Sequence, residues 1–300
     1  MDGKSSNHTC VLLRRSTGGA MKRENDYMRS MMEKGSNRPA MLETFERAAL
    51  EAGKAIMDVY RAGCTAASKA DNSPVTIADE QAERIILAHL YRDFPDIPVI
   101  AEESVAAGIV PAVGSSFFLV DPLDGTREFV DKRPEFTVNI AFIVDGHPAA
   151  GIVFAPALGV AFLGENGTAE KLHVGPDFRV EKRLPINVRL AKAERTALAS
   201  RSHNSPQTAR FLAEQAISEC KNIGSSLKFC LLAEGEADVY PRFTRTMEWD
   251  TAAGDAILRA AGGCTVTLDG RPLTYGKTRQ AHDADFANPD FISWGNAPRL

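Results

Sequence analysis

Apolar side chains first recur at helical spacing at Met41, and they keep that spacing to Tyr60. Their return at every third or fourth position predicts an amphipathic helix, which we expect to stop at Gly63. The same spacing predicts a second helix that begins at Asp79 and ends near Phe94. Short apolar runs then predict strands over Pro98–Ala101, Phe117–Val120, Val138–Val144, Ala149–Phe154 and Val160–Leu163.

The order of predicted elements changes after Pro185. Before it, strands follow one another, and the Asp145-Gly146 pair predicts a hairpin between two of them. After it, strands alternate with helices over Thr196–Ala199, Pro206–Gln215, Cys220–Ile223, Ser226–Glu234, Ala237–Tyr240, Thr251–Ala261 and Cys264–Leu268. This order predicts a layered α+β protein with an N-terminal α+β subdomain over 41–185 and a C-terminal α/β subdomain over 186–300.

The first forty residues differ in kind from the rest. They hold an excess of scattered basic residues, show no persistent helical stripe, and together with Met41 contain six of the eight methionines. We expect residues 1–40 to be a disordered extension. A mis-assigned start, with the native chain beginning near Met41, is a second hypothesis. A membrane-surface tether is a weaker alternative, because the basic residues are not clustered.

The composition is that of an ordinary globular protein and argues against several classes. The 300 residues are 44% hydrophobic and 25% charged, with a net charge of −4. A mildly acidic chain is a poor partner for a nucleic-acid polymer. No stretch approaches the ~20 apolar residues of a membrane span. The cysteines number five, with no C-x-x-C pair, which predicts reduced and mostly buried thiols in a cytosolic protein.

The strongest chemical signal is the run DPLDGT from Asp121 to Thr126. It follows an apolar strand, so Asp121 lies at a strand's carboxyl end, where α/β proteins place ligands. Pro122 predicts a turn that brings the Asp121 and Asp124 carboxylates to one side, and Thr126 is a candidate cap for a following helix. Two carboxylates, the Leu123 carbonyl and a bound phosphate form an oxygen-only donor set that suits Mg²⁺ better than zinc. A plain turn with a helix cap is the alternative.

Three further acidic motifs are ambiguous when each is taken alone. Glu102-Glu103-Ser104 also follows an apolar strand, so Glu102 can reach the same rim as Asp121. Such glutamate pairs are usually solvated turns, however. Asp250 precedes a helix of small residues and Asp79 begins another, and both positions are typical of helix caps.

Together the motifs resemble a known pattern. Their order is Asp71…Thr76…Asp79, Glu102-Glu103-Ser104, Asp121 to Thr126, and Trp249-Asp250-Thr251-Ala252-Ala253-Gly254. This order resembles the lithium-sensitive, magnesium-dependent phosphatases of the inositol monophosphatase superfamily. The resemblance runs from about Met41 to the Asn288-Pro289 region, and the first forty residues have no counterpart in it. It implies an alternating α-β-α-β-α sandwich with two subdomains.

Within that superfamily the chain is most similar to the 3'(2'),5'-bisphosphate nucleotidases. The segments that favour this branch are Asp71–Thr76, Arg127–Phe129, Ser200–His203, Gly224–Cys230 and Ala233–Phe243. Arg127 departs from the branch pattern, which more often has Lys there, but the charge is kept. Residues 102–108 are also similar to inositol monophosphatases, so an inositol or sugar phosphatase is the alternative enzyme.

The resemblance implies a metal centre of two or three Mg²⁺ ions. Glu102 and Asp121 would hold one ion together with the Leu123 carbonyl. Asp121, Asp124 and Asp250 would hold a second. Because closely packed carboxylates repel one another without a cation, we expect bound Mg²⁺ to stabilise the protein.

The resemblance also implies catalytic roles around the reacting phosphate. Asp79 and Thr126, with Glu102, would orient or deprotonate the attacking water. The amides of Gly125 and Thr126 would bind the scissile phosphate. The implied contacts with the substrate's reacting end are Glu102, Leu123, Asp124, Gly125, Thr126 and Asp250.

Substrate choice depends on weaker signals. Arg242 lies near the place where inositol monophosphatases have a Glu, and an Arg suits a second phosphate. Lys228 and Arg201 are further candidates for the other phosphate or the nucleoside, although each is equally compatible with an ordinary surface charge. The resemblance also implies Ser202 and His203 on the substrate side. The expected substrate is the small phosphorylated nucleotide adenosine 3',5'-bisphosphate, which would yield AMP and phosphate.

Two further expectations come from the resemblance, and one alternative lies outside it. The resemblance implies that such proteins are often homodimers and that bacterial members associate peripherally with the inner membrane. A binding protein without catalytic activity is an alternative of a different class. Magnesium-dependent turnover would separate it from the enzymes.

Overall fold

A computed structural model describes residues 40–63, 67–68, 74–190, 194–200 and 205–296 of the chain. The first helix, α1, spans Ala40–Ala62 and stops where Gly63 adopts a positive φ of 80°. A short antiparallel pair, β1 (Ala67–Ser68) and β2 (Pro74–Val75), comes before helix α2 (Ile77–Asp93). The two helices therefore lie where the periodicity predicted them.

A seven-stranded sheet forms the larger half of the structure. Its strands, in spatial order, are β3 (Val99–Ala101), β4 (Ser116–Asp124), β5 (Thr137–Val144), β6 (His147–Ala155), β7 (Val160–Glu165), β8 (Thr168–Val174) and β9 (Val180–Ile186). Only β3 and β4 run parallel; the remaining neighbours are antiparallel. Two short helices, α3 (Glu102–Ala106) and α4 (Thr126–Val130), begin at the carboxyl ends of β3 and β4. The parallel pair thus puts both helix starts at one edge of the sheet.

A five-stranded sheet follows in the chain. Its members are β10 (Thr196–Ser200), β11 (Glu219–Ile223), β12 (Val239–Arg242), β13 (Cys264–Thr267) and β14 (Phe291–Trp294), in the spatial order β11-β10-β12-β14-β13. Three helices accompany it: α5 (Pro206–Glu214), α6 (Leu227–Ala233) and α7 (Ala252–Ala260). Strands β10, β11 and β12 are parallel, while β14 runs antiparallel to its two neighbours.

The helices fill three layers around the two sheets. Helices α1 and α2 bury Phe45 and Ile86 against one face of the larger sheet. Helices α6 and α7 bury Phe229 and Ile257 between its other face and the smaller sheet. Helix α5 covers the outer face of the smaller sheet, with Phe211 packed near Trp294. This arrangement confirms the predicted α-β-α-β-α sandwich. The seam proposed near residue 185 stays a prediction.

The close approach of α7 to the larger sheet depends on two glycines. Gly151 of β6 and Gly164 of β7 are directly paired across the strands. A Cβ at Gly151 would lie 2.6 Å from the Ala253 carbonyl oxygen, and one at Gly164 would lie 2.5 Å from the Ile257 Cα. Any side chain at either position would push α7 away from the sheet. The two glycines therefore set the height of the helix that follows Asp250.

Several local predictions differ from the structure. Strands β8, β9 and β14 were not predicted, because their alternation of apolar and polar residues is weak. Helix α2 is capped by Thr76, and Asp79 is its third residue. The predicted turn at Asp121–Asp124 is instead a continuation of β4 with a register shift between these two residues. Of the described cysteines, Cys230 is buried, Cys264 is half-buried and Cys220 is exposed, so the expectation of buried thiols holds for one of these three, while Cys10 and Cys64 lie outside the described residues.

Candidate active site

Three carboxylates from distant parts of the chain meet at the edge of the larger sheet. Oxygens of Glu102, Asp121 and Asp250 all lie within 4.8 Å of one another. Asp121 is 1% exposed, and the other two are half-buried. These are three of the residues that the sequence proposed as metal ligands.

Glu102 reaches this cluster because of the parallel pairing of β3 and β4. It is the first residue of α3, directly after β3. Glu83, on the buried face of α2, accepts hydrogen bonds from the backbone N–H groups of Glu103 (2.8 Å) and Ser104 (2.9 Å) and from the Ser104 hydroxyl (2.6 Å). A carboxylate at a helix start satisfies amides that have no partner within the helix. Glu83 therefore holds the turn from which Glu102 projects.

The end of β4 folds into a bulge that presents several oxygens. The Leu123 amide donates to Asp121 Oδ1 at 3.0 Å. Gly125 follows with a φ of 92° and occupies the cap position of α4. The expectation that Thr126 caps this helix was wrong, because its hydroxyl lies 3.2 Å from the Leu123 carbonyl and 3.3 Å from Asp79 Oδ1. The left-handed Gly125 makes the abrupt change from strand to helix possible.

Asp79 links α2 to this bulge. Its Oδ2 accepts hydrogen bonds from the Thr76 amide (2.8 Å) and hydroxyl (2.7 Å), while its Oδ1 faces Thr126. The Thr76 hydroxyl in turn accepts from the Ala78 amide, which completes a capping box. Thr76 thus orients Asp79.

Asp250 is positioned by the segment that precedes α7. Its Oδ2 accepts from the Met247 amide at 2.8 Å, and Thr251 holds the cap position of the helix. Asp250 is therefore not the helix cap that its position alone indicated. Asn288 donates to the Met247 carbonyl (2.8 Å) and the Thr251 hydroxyl (3.0 Å), which ties this segment to the chain's last described part.

The cluster is electrostatically unfavourable by itself. Burial, followed by the charges of Glu102, Asp124 and Asp250, raises the pKa of Asp121 well above its usual range. Burial, followed by Asp124 and Glu102, likewise raises the pKa of Asp250. Within the described residues, neither carboxylate forms an ion pair with a lysine or arginine.

A pocket of about 330 Å³ opens beside the carboxylates. Its described lining includes Glu102, Asp124, Gly125, Thr126 and Asp250, together with Lys228, Arg242 and Arg245. The pocket therefore combines acidic and basic side chains. Arg127 also lines it and is exposed.

Two of the basic residues proposed from the sequence are buried and already hydrogen bonded. Lys228 Nζ donates to the carbonyls of Ile223 (3.2 Å) and Ser225 (2.5 Å), and burial lowers its pKa to about 8. Arg242 donates to the carbonyls of Thr244 (3.2 Å) and Arg245 (3.4 Å). Arg245 was missed by the sequence reasoning, since nothing in its neighbourhood marks it as different from a surface arginine.

The remaining predicted residues divide into two groups. Leu123 and Asp121 belong to the bulge itself. Ser202 and His203, proposed for the substrate side, lie outside the described residues, as do Arg201 and Asp71.

The donor set fits a hard divalent cation. Three carboxylates cluster here, and within the described residues neither Asp121 nor Asp250 has a lysine or arginine at ion-pair distance. The Leu123 carbonyl belongs to the same bulge as Asp121. Oxygen-only sets of this kind suit Mg²⁺, whereas zinc sites in proteins usually include sulfur or nitrogen ligands. A buried cluster of like charges is costly unless a cation is present. The arrangement is therefore chemically suited to hold metal.

Fold and site agree with one family. Residues 38–292 match the inositol monophosphatase family. The chain belongs to this family.

The relatives of the chain include bisphosphate nucleotidases. The chain is 43% identical over 253 residues to the 3'(2'),5'-bisphosphate nucleotidase CysQ of Escherichia coli O157:H7, covering 84% of this chain and 98% of that protein. The crystal structure of CysQ from Bacteroides thetaiotaomicron matches with a TM-score of 0.68 at 36% identity, covering 85% of this chain and 97% of the other. An IMPase from Thermotoga maritima also has a TM-score of 0.68, over 85% of this chain and 92% of its own, but at 24% identity it supports the fold alone.

Proposed function

We propose that the chain is a metal-dependent phosphatase that hydrolyses the 3'-phosphate of adenosine 3',5'-bisphosphate to AMP and phosphate. The observation that carries the proposal is a carboxylate cluster beside a pocket whose lining also includes Lys228, Arg242 and Arg245. Similarity to CysQ nucleotidases over most of the chain supports the choice of substrate.

Five residues would hold the metal. They are Glu102, Asp121, Leu123 through its carbonyl, Asp124 and Asp250. Their number suits two or three Mg²⁺ ions. When bound, such ions supply Lewis acidity and offset the negative charge of the phosphate group.

Asp79 and Thr126 would handle the attacking water. The Thr126 hydroxyl faces Asp79 Oδ1 at 3.3 Å and stands at the pocket wall. We assign Thr126 to orient the water and Asp79 Oδ1 to receive its proton, with Glu102 as a further group that acts on the water. The water oxygen forms the new bond to phosphorus as the bond to the ribose 3'-oxygen breaks, and the leaving oxygen takes up a proton from solvent, to which Asp79 then returns its own.

The same pocket would bind the nucleotide. The Gly125 and Thr126 amides are assigned to the scissile phosphate. Lys228 and Arg242 are assigned to the second phosphate through the positive charge they bring to the pocket, and Arg245 adds a more exposed guanidinium. Ser202 and His203 stay predictions on the substrate side.

The experiment is phosphate release in the presence of Mg²⁺ from adenosine 3',5'-bisphosphate, inositol 1-phosphate and fructose 1,6-bisphosphate. We expect a strong preference for the nucleotide, abolished in Asp124→Asn. A preference for either sugar-type substrate would keep the metal site and overturn the roles of Lys228 and Arg242. No turnover of any substrate would contradict the proposal of an enzyme in this class.

Location and assembly stay expectations from the family. No helix among the described residues is long and apolar enough to cross a bilayer. A cytoplasmic location, peripheral association with the inner membrane and a homodimer are carried forward as predictions.

A further inference from the structure

One buried hydroxyl touches two of the segments that carry the candidate metal ligands. The side-chain oxygen of Ser226 lies 2.7 Å from Asp124 Oδ2 and 2.5 Å from the backbone carbonyl oxygen of Asp250. Asp124 ends β4, and Asp250 lies far along the chain, just before α7. Ser226 therefore bridges two parts of the site that are remote from each other in the sequence.

The position of Ser226 in its own helix does not account for this arrangement. It occupies the cap position of α6, where a serine normally accepts a hydrogen bond from an amide of the first turn. Here the side chain makes no capping bond, and its backbone is helical, with φ −68° and ψ −6°. The Ser226 hydroxyl therefore contacts Asp124 and the Asp250 carbonyl instead of capping its own helix.

The turn that carries Ser226 is held from two sides. Ser225 has a positive φ of 51°, a conformation that non-glycine residues adopt only where the surroundings enforce it. Lys228 Nζ donates to the carbonyls of Ile223 and Ser225 and closes the turn. A strained turn held in this way keeps its geometry.

Asn139 anchors Ser226 from the sheet. It lies on β5 directly opposite Asp121 of β4 and is 1% exposed. Its side-chain amide donates to the Ser226 oxygen at 2.9 Å, and its own carbonyl oxygen has no hydrogen-bond partner among the described residues. Burying a side-chain amide in an apolar strand costs free energy unless the amide is hydrogen bonded. The bond to Ser226 is the one side-chain hydrogen bond of Asn139 among the described residues, and it offsets part of that cost.

We propose that Asn139 and Ser226 are positioning residues that set the separation of Asp124 and Asp250, so that both carboxylates reach the same metal centre. The inference rests on the proposed function, because it assumes that these carboxylates bind metal. The Asn139 amide occupies one acceptor position of the Ser226 oxygen, which directs the hydroxyl hydrogen toward Asp124 or the Asp250 carbonyl. Groups that orient ligands in this way typically change metal affinity 10–100-fold when removed.

The test is Mg²⁺ binding to the full-length protein, measured by titration calorimetry without substrate. We expect Ser226→Ala to weaken Mg²⁺ affinity by about 10–100-fold and Asn139→Ala by about tenfold. Because Asn139 acts through Ser226, the double variant should bind no more weakly than Ser226→Ala alone. Excess Mg²⁺ should restore turnover in the single variants, which a general loss of structure would not allow.

Ser293→Ala is the matched control. Ser293 is also fully buried and hydrogen bonded, to Thr265 at 2.9 Å, but it lies in the smaller sheet. We expect it to cost stability and to leave Mg²⁺ affinity within about twofold of the wild type. Wild-type affinity in both Ser226→Ala and Asn139→Ala would overturn the inference alone. A wild-type protein that binds no Mg²⁺ would overturn the metal site of the proposed function, and the inference with it.

Discussion

Two kinds of buried carboxylate lie within a few residues of each other around the start of α7. Glu248 and Asp255 are both fully buried, and each has a cationic partner: Lys277 lies 2.7 Å from Glu248, and Arg259 lies 2.7 Å from Asp255. Asp250, between them, makes no such pair in the described part of the chain. Three acidic residues of one short segment thus have different electrostatic environments.

The difference separates structural carboxylates from ligands. Glu248 also accepts the amides of Gly276 (2.6 Å) and Lys277 (2.9 Å), and Asp255 accepts the Tyr275 hydroxyl (2.9 Å), so both fasten the 275–277 loop. Their charge is neutralised inside the protein. In the described part of the chain Asp250 and Asp121 have no lysine or arginine at ion-pair distance, so a bound cation would neutralise their charge, which favours metal binding.

The largest expected effect is on turnover. Asp250→Asn should lower kcat by roughly 10⁴-fold, equivalent to about 5 kcal/mol, because the metal loses a charged ligand. The free energy of unfolding without metal should not fall, since no internal ion pair is broken. Retention of more than a tenth of the wild-type activity would remove Asp250 from the group of ligands.

The comparison predicts opposite effects on metal-free stability. Asp255→Asn should lower the free energy of unfolding by about 3–5 kcal/mol, because it leaves the Arg259 guanidinium unpaired. Asp121→Asn should leave it unchanged or raise it, because a repelling charge disappears. Urea unfolding in EDTA measures the free energy of unfolding of both variants. An equal loss of free energy in the two variants would contradict the distinction between ion-paired carboxylates and ligands.

The stabilisation by added Mg²⁺ should depend on the proposed ligand carboxylates and not on the ion-paired carboxylates. Mg²⁺ at about 100 times its dissociation constant should raise the free energy of unfolding by about 2.7 kcal/mol and raise the melting temperature. The same addition should leave the melting temperature of Asp250→Asn unchanged. Glu248→Gln keeps all the proposed ligands, so Mg²⁺ should still raise the melting temperature of the fraction of this variant that folds. A wild-type melting temperature indifferent to Mg²⁺ would count against the metal centre.

A smaller effect on Mg²⁺ affinity is expected from Glu83, which holds the turn that carries the proposed ligand Glu102. Glu83→Gln should weaken Mg²⁺ binding by about tenfold, since it removes the charge that holds the α3 amides and hence Glu102 in place. Glu80→Gln, on the exposed face of the same helix, is the control and should bind Mg²⁺ normally. Calorimetric titration of the two variants side by side decides whether α2 acts on the site.

The smallest expected effect is on the pH dependence of KM and concerns Lys228, a buried lysine with no carboxylate at ion-pair distance among the described residues. Because burial lowers the pKa of Lys228 to about 8, its charge is lost as the pH rises through that value. KM for the bisphosphate should then rise about threefold, whereas Lys228→Arg should show no such rise. Between about 8 and the unfolded pKa the folded protein binds fewer protons, so this group makes stability increase with pH. A KM that is flat with pH in the wild type would exclude Lys228 from substrate binding.

Much of the fold was predictable because the patterns that specify it are local. The helices α1 and α2 and most strands of the larger sheet follow from periodicity, and Asp145-Gly146 forms the expected hairpin with both residues at positive φ. Strand β14 was not predicted, because alternation of apolar and polar residues over its four positions is too weak to mark a strand. It is nonetheless central, since it joins β12 to β13.

The acidic motifs were also visible in the sequence, but their supporting residues were missed. Glu83 lies four positions after Asp79, so helical spacing alone would have placed the two on one face of α2. Asn139 stands out as a polar residue within an apolar strand. Ser226 had no such signal, because a serine before a helix is normally a cap.

By itself the sequence determined most of the secondary structure and the chemistry of the motifs, since both depend on residue type and on spacing over a few positions. Only the tertiary structure decided that Glu102, Asp121 and Asp250 lie within 4.8 Å of one another. That approach depends on the parallel pairing of β3 with β4 and on the contact of α7 with Gly151 and Gly164. Distances between segments far apart in the chain are set by such packing, which no spacing along the sequence encodes.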